Sequence, residues 1–418
     1  MDPDIDRVVA DYQREHRDLA DARDLVRSAI QALQEVKGDP QRGPHATAGR
    51  EGPPLSAMLN VLLTPPAWSP YPELIESGQR VFADYGLYEA GALFFASLPM
   101  AYATVDGAEV LARVSDLATR NLTRRVAETG QMLLDVMGLR GADSLAPGAA
   151  GYMMAIGLRV MHACVRVLIL DRPESGPWPE AEYGPPVNQE LMLGTLLDFT
   201  VVAWEAMARM GIKLSPADRQ ANLHAWSFIG LLMGVEACRD GALSLSDVEQ
   251  ISAGLTRLLG PSQAGRRLMA ALLAEMEEFM PLGWRKLPRS VVRMLFQDAP
   301  GAVRGVPDLL SVPPAAWWSV PLLALLRIAN QHDWLLGPAA PPVHALIRKL
   351  SRHVLISYAD RYAQGPTPFH VPGELASRWR IPTSPAGLRV HRMRGRVRDA
   401  ARARLQRVGG RTRRWRPR

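Results

Sequence analysis

Apolar residues recur at three- and four-residue intervals along most of this chain, while alternation at every second position is scarce. That pattern confines the fold to packed helices, so an all-α protein is expected and strands are not. Helical stretches follow one another at about Pro72 to Asp84, Tyr88 to Ala103, Gly107 to Val136, Gly151 to Leu170, Gln189 to Met210 and Pro216 to Asp240. A further set runs through Gly254 to Met280 and Leu287 to Phe296, the apolar run from Ser311 to Leu326 is helical in part, and a last helix runs from about Pro342 to Tyr362. Val8, Tyr12, Leu19, Val26, Ile30 and Leu33 give residues 1–36 the spacing of an amphipathic helix, and the Gly- and Pro-rich residues 37–55 read as a linker. One large helical domain is expected over 56–385, followed by an Arg-rich tail at 386–418.

Two stripes on these helices carry chemistry. In Arg159-Val-Met-His162-Ala-Cys-Val-Arg166 one histidine stands between two arginines at i, i+3 and i+7 on an otherwise apolar helix. An imidazole there can ligate a metal or haem iron, with Arg159 and Arg166 meeting propionates. Taken alone, a histidine on such a face is more commonly a core residue whose ring N–H is bonded to a carbonyl. Upstream, Arg125, Glu128 and Thr129 fall at i, i+3 and i+4, one face of one helix. They read either as an oxygen-handling wall or as a solvated face with an Arg–Glu pair.

Together these runs resemble the MpaB-type oxygenases, the family that includes the latex clearing proteins. The likeness extends to Pro66-Ala-Trp68 with Gly78 and Phe82, Ser97-Leu-Pro99-Met-Ala-Tyr102, Gly107-Ala-Glu109-Val-Leu111, Asn188-Gln189 and Trp226-x-x-Ile-Gly230-x-Leu-x-Gly234. It spans roughly Pro66 to Pro307, somewhat over half the chain. The resemblance implies a globin-like helical core with additional helices, a b-type haem with His162 as proximal ligand, and Glu109, Arg125 and Thr129 on the distal side. It also implies dioxygen as co-substrate and a hydrophobic, olefinic or isoprenoid substrate, with Glu109 as base toward an allylic C–H. Read from sequence alone, Glu109 is equally an exposed first-turn acid at a helix start. One position departs: rubber-cleaving members carry lysine where Glu128 stands here, which sets both the distal ligand and rubber as substrate apart.

Charge and composition narrow the alternatives. The net charge is +7, but residues 389–418 hold 13 arginines against Asp399, a net of +12, leaving −5 on the remainder. The tail reads as a solvated extension or as an electrostatic anchor on anionic lipid, with Trp415 suited to the interface. No aromatic-rich module accompanies it, so nucleic acid is not the expected partner. Cys164 and Cys238 are too few for a disulfide framework or a four-cysteine metal site, and C-x-x-C-H is absent, so a haem would be held without thioether links. No H-E-x-x-H, Glu-x-x-His, G-x-S-x-G or P-loop motif occurs, which removes support from zincin, di-iron, hydrolase and nucleotide readings. The acidic start Met1-Asp-Pro-Asp-Ile-Asp is unlike a secretion signal, and Asp198 and Glu205 interrupt the Leu191–Met210 apolar run, so a cytoplasmic protein, peripheral to a membrane at most, is expected. His224, ahead of Trp226 on another apolar helix, is the rival ligand. The Pro-rich break Pro173–Pro186, carrying Trp178 and Tyr183, is expected near the haem edge. Two function classes fit this reading: a haem-dependent oxygenase, and a haem-free helical interaction or membrane-adaptor protein working through its basic tail.

Overall fold

Ser215 and Pro216 start the helix around which the others are packed. In the computed structural model, which describes residues 5–6, 66–114, 122–139, 143–170, 176–278 and 280–331, Ser215 Oγ accepts the Asp218 N–H at 3.1 Å and Pro216 occupies the first turn. The expected N-terminal helix (residue 7 onward), linker, 342–362 helix and tail lie outside the described residues.

In chain order the helices are α1 (Pro72–Ala92), α2 (Leu98–Ala103), α3 (Val105–Val114), α4 (Leu122–Val136), α5 (Ala150–Leu170), α6 (Glu180–Tyr183), α7 (Gln189–Leu197), α8 (Ala203–Arg209) and α9 (Pro216–Leu232). They continue as α10 (Leu245–Leu255), α11 (Gln263–Glu278), α12 (Leu287–Gln297), α13 (Val306–Leu309) and α14 (Ser319–Gln331). Among the described residues no strand is present, and the one β-type pairing is an isolated bridge from Thr104 to Leu259. The all-α expectation is met.

Every residue from Ala221 to Gly230 of α9 is buried, the polar Asn222, His224 and Ser227 included, so this helix lies inside the bundle. Helix α1 crosses it closely. A Cβ on Gly78 would stand 2.4 Å from the Ala221 carbonyl oxygen and 3.0 Å from the Ala225 Cβ, so only glycine fits the crossing. Gly91 on the same helix would meet nothing within 4 Å. Gly78→Ala should therefore lower stability by on the order of 1–3 kcal/mol through overpacking. Gly91→Ala should raise it by about 0.5–1 kcal/mol through helix propensity alone. Urea midpoints of the two variants moving in the same direction would contradict the crossing.

The sequence expectation placed a break between Asp84 and Tyr88; the helix instead runs through it, with Gly86 buried on the inner face. The irregularity falls later, in a π-helical turn at Leu93–Ser97 just ahead of Pro99. Proline lacks the N–H of the α ladder and its ring crowds the preceding turn; widening that turn accommodates both. A second π turn, Asp198–Val202, interrupts the α7–α8 helix and packs against the first. Ser97 Oγ donates to the Asp198 main-chain carbonyl at 2.6 Å, fastening the two irregular turns together. The whole helix Gln189–Arg209 is long and apolar enough by length and composition to cross a membrane, contrary to the expectation that Asp198 and Glu205 interrupt it. Its Met192, Leu196, Leu197, Trp204 and Met207 are buried in the bundle, as in a core helix.

Two desolvated acids accompany this region: burial raises the Asp198 carboxyl of the second π turn well above its ordinary range, and Glu89 is the other. Glu89, one turn before the first π turn, is 1% exposed and its Oε1 has no hydrogen-bond partner among the described residues. Burial pushes its carboxyl up from 4.5 to about 8, so it is protonated at neutral pH. The folded state then keeps a proton that the unfolded chain releases, and stability should fall as pH rises from about 4.5 to about 8. Glu89→Gln should make that slope shallower, with the part owed to Asp198 remaining. Equal pH dependence of the urea midpoint in wild type and variant would show that Glu89 is not the group responsible.

Candidate functional site

Helix α5 carries Arg159, His162 and Arg166, and α3, α4 and α9 all pack against it. The α4–α5 junction is fixed by backbone approach. Helix α4 ends at Gly138 (φ 68°), where the Gly138 N–H reaches the Asp135 carbonyl and the Leu139 N–H the Leu134 carbonyl. Gly151, at the start of α5, sits so close that a Cβ would lie 2.6 Å from the Asp135 carbonyl oxygen and 2.8 Å from Val136 Cα. Gln79 of α1 donates to both the Val136 carbonyl (2.9 Å) and Ser144 Oγ (2.8 Å), pinning the same junction from outside. The helix expected to bear Arg125, Glu128 and Thr129 is thus held beside the helix bearing His162.

His162 is half-buried, with its Nδ1 in the interior. Arg159 is half-buried on the same helix. Arg166 is buried and held by chain atoms: its Nε donates to Asp6 Oδ1 at 2.8 Å, its second terminal nitrogen lies 2.7 Å from the same oxygen, and its first donates to the Val187 carbonyl at 3.0 Å. These contacts tie α5 to the segment leading into α7 and to Asp6, a partner that no sequence spacing signals. Thr129 is exposed on α4, and the side chains of Arg125 and Glu128 lie outside the described set.

Glu109 of α3 departs from the exposed first-turn acid that sequence allowed. It is partly buried, and Arg113 Nε donates to its Oε1 at 2.8 Å. Arg113 also donates to the Gly176 carbonyl at 3.0 Å and lies over the Trp178 ring, 5.3 Å from its centroid. The end of the Pro-rich break therefore docks on the Glu109–Arg113 pair. It carries a helical turn, α6, and is braced by Trp178 Nε1 donating to the Gly184 carbonyl at 2.7 Å and by the edge-to-face Trp178–Tyr183 pair. The Tyr183 phenol is raised above its ordinary pKa by desolvation and by the charges of Glu182, Glu109 and Asp106, with Arg113 acting in the opposite sense. Asp106 is buried and likewise raised by burial, against the lowering effect of hydrogen bonds from the Gly107 backbone and the Asn188 side chain. Sequence reasoning passed over Arg113 and Asp106; the i,i+4 spacing of Glu109 and Arg113 was the available signal.

The rival ligand is occupied. His224 Nε2 accepts the Tyr71 backbone N–H at 3.1 Å, and its ring stands against Trp68 and Tyr71 at 5.5 and 5.7 Å. Burial lowers its pKa, which keeps the lone pair available to Tyr71. Asn188 and Gln189 also prove structural in their contacts: Asn188 Oδ1 caps α7 through the Leu191 N–H at 3.0 Å, and Gln189 bridges the Gly234 carbonyl and the Glu236 N–H. Gly234 itself, at φ 81°, ends α9 eight residues before the boundary expected at Asp240, because the positive φ turns the chain out of the helix. Among the described residues no group of three or more His, Cys, Asp or Glu side chains gathers as for a bound ion.

Residues 80–392 match the family model described as ER-bound oxygenase mpaB/B'/Rubber oxygenase, catalytic domain. The chain belongs to that family. Within it, a rubber oxygenase of Streptomyces sp. (strain K30) is 27% identical over 113 residues, 27% of this chain and 26% of the relative. The chain thus spans about a quarter of the length of the curated relative it matches. Among solved structures, latex clearing protein LCP in the closed state shares the fold, with a TM-score of 0.53 at 17% identity over 79% of this chain and 88% of that one. The MpaB-type assignment therefore rests on the family match, and the helical architecture on the shared fold as well.

Proposed function

We propose that this MpaB-family chain is a haem b-dependent oxygenase that uses dioxygen on a hydrophobic, isoprenoid or otherwise olefinic molecule. The observation that carries the reading is the family match over residues 80–392 together with His162 on a helix flanked by those of Glu109 and Arg125. The donor set suits the group: His162 is a half-buried imidazole, and the other histidine among the described residues, His224, has its Nε2 committed to Tyr71. His162 would hold the iron and Arg159 a propionate. When bound, the haem supplies an iron centre that activates dioxygen.

The chain's own residues then divide the remaining work. Arg166 fixes the height of the His162 helix through Asp6 and Val187. Arg113 holds the Glu109 carboxylate by Oε1, leaving Oε2 as the atom to take a proton from an allylic C–H. Arg125, Glu128 and Thr129 would set the polarity facing dioxygen. The Arg-rich tail, in this reading, anchors a cytoplasmic enzyme to anionic lipid. Purified protein should show a Soret band, and turnover of a soluble oligoisoprenoid under labelled dioxygen should place the label in the product. Protein without a Soret band after haem reconstitution would instead favour the haem-free adaptor reading.

A further inference from the structure

We infer that the turn bearing Leu282 and Trp284 and the adjoining Trp317 loop form an interfacial face that docks, with Arg285 and Lys286, on an anionic phospholipid bilayer. Leu282 and Trp317 are the most exposed large apolar residues described, at 82% and 86%, and Trp284 is 45% exposed. Isolated exposed apolar residues need no explanation, but these converge. Trp284 and Trp318 stand edge to face at 5.4 Å, which joins the two loops into one surface.

The surface is held rigid from beneath. Ser290 Oγ donates to the Lys286 carbonyl at 3.0 Å and accepts the Ala316 N–H at 2.9 Å, and Ser319 Oγ donates back to the Ala316 carbonyl at 2.6 Å. The two tips are therefore presented together. Helix α14 extends the apolar character with exposed Val320, Leu325, Leu326 and Ile328.

Charge selects the occupant. Arg285 and Lys286 are exposed immediately beside Trp284, while the acids of the following stretch are consumed: Asp298 pairs with Arg327 at 2.9 Å and Asp308 with Arg293 at 3.0 Å. The nearest preceding acids, Glu277 and Glu278, end α11 before the turn. Protruding indole and leucyl groups flanked by cations match the headgroup boundary, where the apolar tips enter the acyl region and the cations meet phosphates. This inference does not depend on the oxygenase reading, and its test needs no turnover.

The experiment is co-sedimentation of the full chain with phosphatidylcholine vesicles containing phosphatidylserine, at low salt and at a salt concentration that screens the tail arginines. Leu282→Ser/Trp317→Ser should weaken partitioning by about ten-fold at both salt concentrations, because the removed term is apolar burial. Arg285→Glu/Lys286→Glu should weaken binding to the anionic vesicles and leave binding to pure phosphatidylcholine unchanged. Circular dichroism and thermal midpoints confirm folding, which exposed positions should spare. Failure of wild type to bind, or unchanged partitioning of the double serine variant, overturns the proposal. A change of sedimentation coefficient in that variant with unchanged vesicle binding would assign the face to a second copy of the chain instead.

Discussion

His162→Ala should give a protein with the helical circular dichroism of wild type and no Soret band after haem reconstitution. The expected loss is close to complete, because a b-type group without thioether links depends on its coordinate bond and on burial alone. The fold should survive. His162 is only half-buried on α5, and trimming such a side chain should cost about 1–2 kcal/mol. His224→Ala supplies the contrast: it should retain the Soret band and lose about 1–2 kcal/mol, because the Tyr71 N–H is left without its acceptor. Equal Soret absorbance in His162→Ala and wild type would remove His162 from the iron, and a loss confined to His224→Ala would transfer the role there.

Glu128→Lys should change the ferric spectrum in kind. With a carboxylate at this position of α4, the wild type is expected to carry water or an open sixth site, with absorption that shifts as the acid titrates. Lysine there restores the residue that the resemblance to rubber-cleaving members places at this point. The variant should then move toward a low-spin, amine-ligated form at high pH, when the amine is neutral. Turnover should fall as well, since a cation cannot take over proton handling from a carboxylate. A low-spin, nitrogen-ligated wild type, or full activity in Glu128→Lys, would show that Glu128 faces away from the iron.

What the sequence made legible follows from where each signal resides. Helix starts marked by Ser215-Pro216 and Asn188 were readable because capping is local, and the helical spacing of apolar residues announced the bundle. The α1 boundary was misread because a glycine at 86 suggests a break, whereas burial against neighbouring helices keeps it helical. Such an override depends on residues far along the chain. The stop of α9 was misplaced because Gly234 acts through a positive φ that composition alone does not reveal. At the site, α3 and α4, which bear Glu109 and Arg125, pack on α5, which bears His162. Arg113 was missed because its importance comes from the Gly176 carbonyl and the Trp178 ring, 63 and 65 positions away, and the Arg166 pairing with Asp6 went unseen, with Arg166 read toward a propionate, because Asp6 lies 160 positions upstream.

The two π turns make residue number a shared property of distant helices. Removing one residue from α1 ahead of Leu93, with the wide turn kept, would rotate everything after it by about 100° about the helix axis. Tyr102, whose carbonyl oxygen lies 2.2 Å from where a Gly265 Cβ would stand, would swing off its contact with α11. Ser97 would also leave the Asp198 carbonyl. Recombination between this chain and a relative is constrained accordingly. A crossover falling between residues 97 and 198 would inherit one turn from each parent, and chimeras of that kind should fold only when both parents carry the same helical count on each side.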